Sequence, residues 1–205
     1  MTAAEITSVA ELDELLGRPG PAAANKGRFL LHAIDVAWIA HSPMVLIATS
    51  AADGTCDVSP KGDPAGFVRA LDAHTLAIPE RPGNKRADGF HNVLANPQVG
   101  LIFLVPGRPD TLRVNGRTRL VRDAPYFDAM AVQGRRPILA MEVTVEEIYY
   151  HCAKAFLRSR LWAQEGWNPD ALPTRAQIVH ALERNDEPRE AIERHYGPDY
   201  AENLY

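Results

Sequence analysis

The chain has 205 residues, 46% hydrophobic and 23% charged, with a formal net charge of −4. This is ordinary globular composition, long enough for one large domain, and it offers no basic field for nucleic acid. Two cysteines, Cys56 and Cys152, cannot build a disulfide framework or a four-cysteine zinc site, so a reducing cytoplasm is the expected compartment.

Ser8 and Glu11 have the spacing of a capping box, and Leu12, Leu15 and Leu16 then form a helical stripe. Residues 17–24 read as a Pro/Gly/Ala loop. Leu30, Ala33, Ile34, Ala37 and Trp38 predict a helix over Phe29–His41, stopping before Ser42-Pro43. That stretch carries His32, Asp35 and His41, too polar for a membrane span, and no signal-peptide pattern precedes it.

From Met44 the pattern becomes short, β-branched and punctuated by turns. Met44–Thr49 and Cys56–Ser59 read as a hairpin. Further strands are expected at Phe67–Ala70, Thr75–Ile78, Val99–Val105, Thr111–Val121 and Ile138–Tyr149, with an irregularity at Asn115-Gly116. A short helix is expected over Ala87–Ala95, closed by Asn96-Pro97. Helices at His151–Trp162, Thr174–Arg184 and Pro188–Tyr196 follow. The expected organisation is one domain in three parts: helices over 1–42, a β core over 43–162 and a helical extension over 163–205.

Three segments carry candidate chemistry. Lys61 ends a strand inside DVSPKGDPAGF, between residues that fix the backbone; an exposed turn lysine and a ligand-facing one fit equally. Arg81, Asn84, Lys85 and Arg86 crowd the turn before the helix at Ala87. A helix start favours anions, so cations there oppose the local dipole unless a phosphate joins them; a solvated corner is the competing reading. On a helix beginning at His151, that histidine would share a face with Lys154 and Arg158. The histidines are scattered, with no HxH or HExxH pair, so no metal is expected.

Taken in order, SPKGDP with GFV, IPERPGNKRADGFHNVLANPQVGLIFLVPG, TLRVNGRTRL and HCAKAFLRSRLW resemble the pyridoxamine 5'-phosphate oxidase-like family of FMN-binding split barrels, from about Leu31 to Trp162. The resemblance implies a mainly β fold with flanking helices, a six-stranded antiparallel barrel. It also implies a homodimer with FMN in clefts between subunits. Val58, Ser59, Pro60 and Lys61 would lie along the flavin, with Ile78 and Pro79 on the strand before the turn. Asn84, Lys85 and Arg86 would grip the phosphate, with Arg81 beside them. Arg113, Tyr149, Arg158 and Lys154 would complete the cofactor site, partly from the other subunit. An FMN phosphate carries about −1.5 to −2 charges, and Lys85 and Arg86 offer it charge-assisted donors.

The family's Arg-x-His segment is replaced by Arg158-Ser159-Arg160-Leu161, so pyridoxal phosphate synthesis is not expected. The implied function is a flavoprotein oxidoreductase passing hydride or electrons from a small-molecule donor to a small acceptor or oxygen. No protein acid or base is demanded, because the cofactor carries the chemistry. Alternatives are a flavin carrier or sensor with little turnover, or a related barrel holding a deazaflavin or haem.

Overall fold

The computed structural model describes residues 3–202 and 204–205, so the expected segments 1–42 and 163–205 are seen without residues 1, 2 and 203, which lie outside the described residues. The capping box opens helix α1 (Val9–Leu16): the Ser8 hydroxyl accepts from Glu11 N–H and the Glu11 carboxylate accepts in return from Ser8 N–H. A four-residue helix, α2 (Pro21–Ala24), lies in the stretch read as loop. Pro21 occupies its first turn, where a missing N–H leaves nothing unbonded.

Helix α3 (Ala33–His41) starts later than the apolar spacing implies, because Asp35 organises its entry. The Asp35 carboxylate accepts from His32 N–H at 2.8 Å and from both Arg28 Nη atoms at 2.6 and 2.9 Å. Arg28 is in turn held by two backbone hydrogen bonds to Ile148. Residues 29–32 are thereby drawn out of the helix.

Seven strands, all paired antiparallel, form one sheet: β1 (Met44–Ser50), β2 (Cys56–Gly62), β3 (Arg69–Ala70), β4 (Thr75–Glu80), β5 (Gln98–Leu104), β6 (Thr111–Val121) and β7 (Leu139–His151). Their order is β2-β1-β5-β6-β7-β4-β3, the seven strands read from the sequence, against the six of the barrel that the resemblance implies. One of them, β3, is a stub. The expected strand over Phe67–Ala70 loses its first half because Phe67 and Val68 bend into the core. Strand alternation sends Val45, Ile47, Leu101, Phe103, Val114 and Ile148 into one buried cluster, covered by Leu31, Ile39 and Val93 from the flanking helices and their approaches.

The stub decides the shape of the molecule. It pairs only with Leu76 and Ala77, so Ile78, Pro79 and Glu80 are bonded to β7 on one side and open on the other. The sheet curls until this open stretch faces β2, the opposite edge. The gap is spanned by side chains, Lys61 to Glu80 and Asp63 to Arg81, and among the described residues no backbone ladder closes it. Pro60 and Pro79 stand on these two edges, where a sheet tolerates a residue without an N–H. The fold is a mainly antiparallel split barrel with flanking helices.

The β6–β7 register shifts at the expected Asn115-Gly116. Asn115 faces Glu147 while Gly116 faces Val145, leaving Glu146 as the extra residue on the partner strand. A Cβ on Gly116 would overlap the Thr144 carbonyl, so glycine permits the approach. β7 then runs on to His151, paired with Thr111. The expected helix over His151–Trp162 contracts to α5 (Lys154–Ser159), closed by Arg160 at φ 52°. His151 is therefore a strand residue, and the predicted shared face of His151, Lys154 and Arg158 does not form. Helix α4 (Asp88–Ala95) follows β4. α6 (Arg175–Leu182) and α7 (Arg189–His195) bury Ala176, Val179 and Ile192 in a small core of their own.

Candidate functional site

A cavity of about 580 Å³ opens along the split, within the roughly 300–1,000 Å³ typical of small-molecule sites. The inward face of β2 supplies Asp57, Ser59 and Lys61, and the end of β4 supplies Pro79 and Glu80. The turn from Arg81 to Ala87 and the first residues of α4, Asp88 and Phe90, complete that wall. Strand alternation shapes the β2 wall: residues 57, 59 and 61 are half-buried while 58 and 60 are exposed, Pro60 still bordering the cavity.

The turn is built around one residue. Asn84 Oδ1 accepts from Arg86 N–H at 3.0 Å, bridging Lys85, whose φ is 63°. A left-handed lysine costs about 1 kcal/mol or more. Among the described residues Lys85 has no ion pair or hydrogen bond, whereas Arg86 Nε meets Asp88 Oδ2 at 2.6 Å. Ala87 then opens α4 without a side-chain cap. The first helical N–H groups are left unbonded at the cavity wall, an arrangement suited to an anion.

Four cations line the cavity, Lys61, Arg81, Lys85 and Arg86, and four acids, Asp57, Asp63, Glu80 and Asp88. Lys61 pairs with Glu80, Arg81 with Asp63 and Arg86 with Asp88. Asp57 accepts from the Ser59 hydroxyl at 2.8 Å. Among the described residues Lys85 is the lining cation without an ion pair and Asp57 the lining acid without one, so the lining sums to zero formal charge and the unpaired cation stands at the turn.

Of the expected residues, Ser59, Pro60, Lys61, Pro79, Arg81, Asn84, Lys85 and Arg86 meet at this cavity. Arg81 is already engaged within the protein: its Nε meets Asp63 at 2.7 Å and its Nη2 the Met130 carbonyl at 2.7 Å, so it ties the split together. Ile78 is buried in the core behind the cavity, and Val58 points to the outer sheet face, 61% exposed. Arg113, Tyr149, Lys154 and Arg158 do not reach the cavity of the same chain.

Arg113 and Tyr149 instead face each other across β6–β7, guanidinium 5.3 Å from the ring, with Lys26 Nζ 4.7 Å from the same ring. Burial, then Lys26 and Arg113, lowers the His151 pKa there. Sequence reasoning missed Asp63, Glu80, Phe90 and Tyr205. Lys61 Nζ lies 5.0 Å from the Phe90 ring centre. The Tyr205 hydroxyl donates to Asp63 beneath Arg81, 5.9 Å from its ring. Asp63 and Glu80 are single acids inside turn motifs, and only the curling of the sheet gives them partners.

An antiparallel barrel split at one seam, with an anion-ready turn beside the opening, defines the class. The family described as Pyridoxamine 5'-phosphate oxidase matches residues 33–152, more than half of the chain, and the chain belongs to that family. Among solved structures, HupZ of Group A Streptococcus is similar at 23% identity, over 58% of this chain and 91% of that one, with a TM-score of 0.46. A putative pyridoxamine 5'-phosphate oxidase from Lactobacillus delbrueckii is similar at 23% identity, over 60% and 95%, with a TM-score of 0.46. An FMN-binding protein from Syntrophomonas wolfei follows at 10% identity, over 55% and 79%, with a TM-score of 0.42. No curated protein matches the sequence. No helix among the described residues is long and apolar enough to cross a membrane.

Proposed function

We propose that this chain binds FMN in the cavity at the split and works as a flavin-dependent oxidoreductase on small molecules. The observation that carries this reading is the Gly83–Ala87 turn, where Lys85 is held unpaired at φ 63° beside the uncapped start of α4. Phosphate would neutralise Lys85 and accept from the free helical N–H groups. Ser59, Lys61, Pro79, Glu80 and Phe90 line the space left for the flavin ring. When bound, the flavin supplies hydride or electron transfer; the chain supplies orientation and electrostatics.

This reading treats residues 43–162 as the flavin-binding core, flanked by helical segments, in a cytoplasmic homodimer. The outer sheet face supports the dimer, with Val58 and Pro60 exposed beside half-buried Leu46 and Ile102. Arg113 and Tyr149 lie on that face, from which they would meet the cavity of a second copy. The family match and the departure at Arg158–Leu161 together favour a redox protein other than a pyridoxal phosphate synthase. The test is a visible spectrum of freshly purified protein, with mass identification of what denaturation releases. A flavin spectrum and released FMN are expected. Colourless protein overturns the reading, and a deazaflavin or a haem Soret band replaces FMN.

A further inference from the structure

Glu80 closes β4 at the split and pairs with Lys61 across the cavity. The two side chains are 20% and 23% exposed, so their fields are screened less than those of surface charges. Every other lining cation except Lys85 has its own acid: Asp63 for Arg81 and Asp88 for Arg86. Lys61 also leans on the Phe90 ring, which offers no counter-charge. The cavity is thus divided electrically. The turn end holds the two lining charges without an ion pair, Lys85 and, on β2 beside Gly89, Asp57, while Lys61 is cancelled only because Glu80 is opposite it.

That division matters for a redox ring, because reduced flavin carries more negative charge than oxidised flavin. A lone lysine beside it would favour the reduced form and raise the potential. A carboxylate that cancels the lysine removes that preference. Building on the flavin reading above, we propose that Glu80 is a potential-setting residue. It offsets Lys61 and keeps the bound flavin at a lower potential, and so a stronger reductant, than Lys61 alone would allow. The site is accordingly suited to giving electrons to small acceptors.

The test is the midpoint potential of the full chain loaded with FMN, measured by dye equilibration for wild type, Glu80→Gln, Lys61→Met and the double variant. Glu80→Gln should tighten reduced over oxidised FMN at least tenfold, a positive shift of about 30 mV for a two-electron couple. Lys61→Met should shift the potential negatively. The double variant should return near wild type, because a cancelled pair and an absent pair carry the same charge. Opposite signs are something a merely structural contact would not produce. If Glu80→Gln fails to fold, Lys61→Met against the double variant reads the same charge step. Shifts of one sign, or an unmoved potential in a yellow Glu80→Gln protein, overturn the assignment of Glu80 and leave the flavin reading intact. A wild type that retains no flavin overturns both.

Discussion

Asp63, one residue past β2, and Arg81, one residue past β4, meet across the seam of the barrel with Nε 2.7 Å from Oδ2. The Asp63 side chain is 2% exposed. A buried carboxylate stripped of its partner is costly, so Arg81→Ala should destabilise the fold by about 3 kcal/mol. Asp63→Asn should cost less, because the Arg81 cation it leaves behind is less buried than Asp63 and keeps its hydrogen bonds to the Met130 and Arg135 carbonyls. Urea unfolding of both variants checks this; equal small losses would make Arg81 an ordinary surface residue.

Lys85 offers a test in which stability and binding move in opposite directions. Lys85→Gly relieves the left-handed backbone and should stabilise the protein by about 1 kcal/mol. The same change removes the one unpaired cation at the turn and should weaken FMN retention tenfold or more. Lys85→Ala should weaken retention without the stability gain, since alanine keeps the φ penalty. Thermal melts and flavin titrations on one set of samples separate the two effects.

Asp35 sets an acid limit on the fold. Burial pushes its pKa up, but the hydrogen bonds from Arg28 and from His32 N–H, with the Arg28 charge, outweigh burial and hold it below the usual carboxylate range. A depressed folded-state pKa means the unfolded chain takes up the proton first. The stabilisation is therefore complete above about pH 4, the unfolded carboxylate value, and is lost as pH falls through the lower folded value. Stability of Asp35→Asn, followed from pH 7 to pH 3, should be lower at neutrality and flatter in acid than that of wild type.

The outer face of the sheet predicts an assembly. Gel filtration of wild type should give a dimer, and Val58→Glu, a charge placed on an exposed edge-strand position, should shift it towards monomer. Wild type eluting as a monomer would remove the shared-cleft arrangement and with it a cofactor role for Arg113 and Tyr149.

Much of this was legible in the chain because the signals were local. Ser8 and Glu11 announced a cap, the strands from Met44 onwards were short, β-branched and bounded by turns, and the turn at Asn84–Arg86 crowded its cations within three residues. What stayed hidden depended on distance in sequence. Lys61 and Glu80 are ends of strands at opposite margins of the sheet, and nothing in either motif says that the margins meet. Arg81 read only as a neighbour of the phosphate grip, because Asp63 lies in another motif and their pairing exists only after the sheet curls. His151 read as helical because apolar spacing on both sides of it continued, while its pairing with Thr111 came from the opposite strand.

One extra residue on β7 has a long reach. Before Glu146 the inward positions of that strand include Val143 and Val145; after it they are Ile148 and the half-buried Tyr150. The inserted residue works as a half-period delay, inverting the parity of everything downstream. Tyr149 owes its outward aim, opposite Arg113, to that delay. Were Glu146 taken into the regular alternation instead of bulged out, the final strand segment would turn inside out, burying Tyr149 and exposing Ile148, or give up its alignment with β6. A single position thus decides which side of the molecule the last five strand residues address.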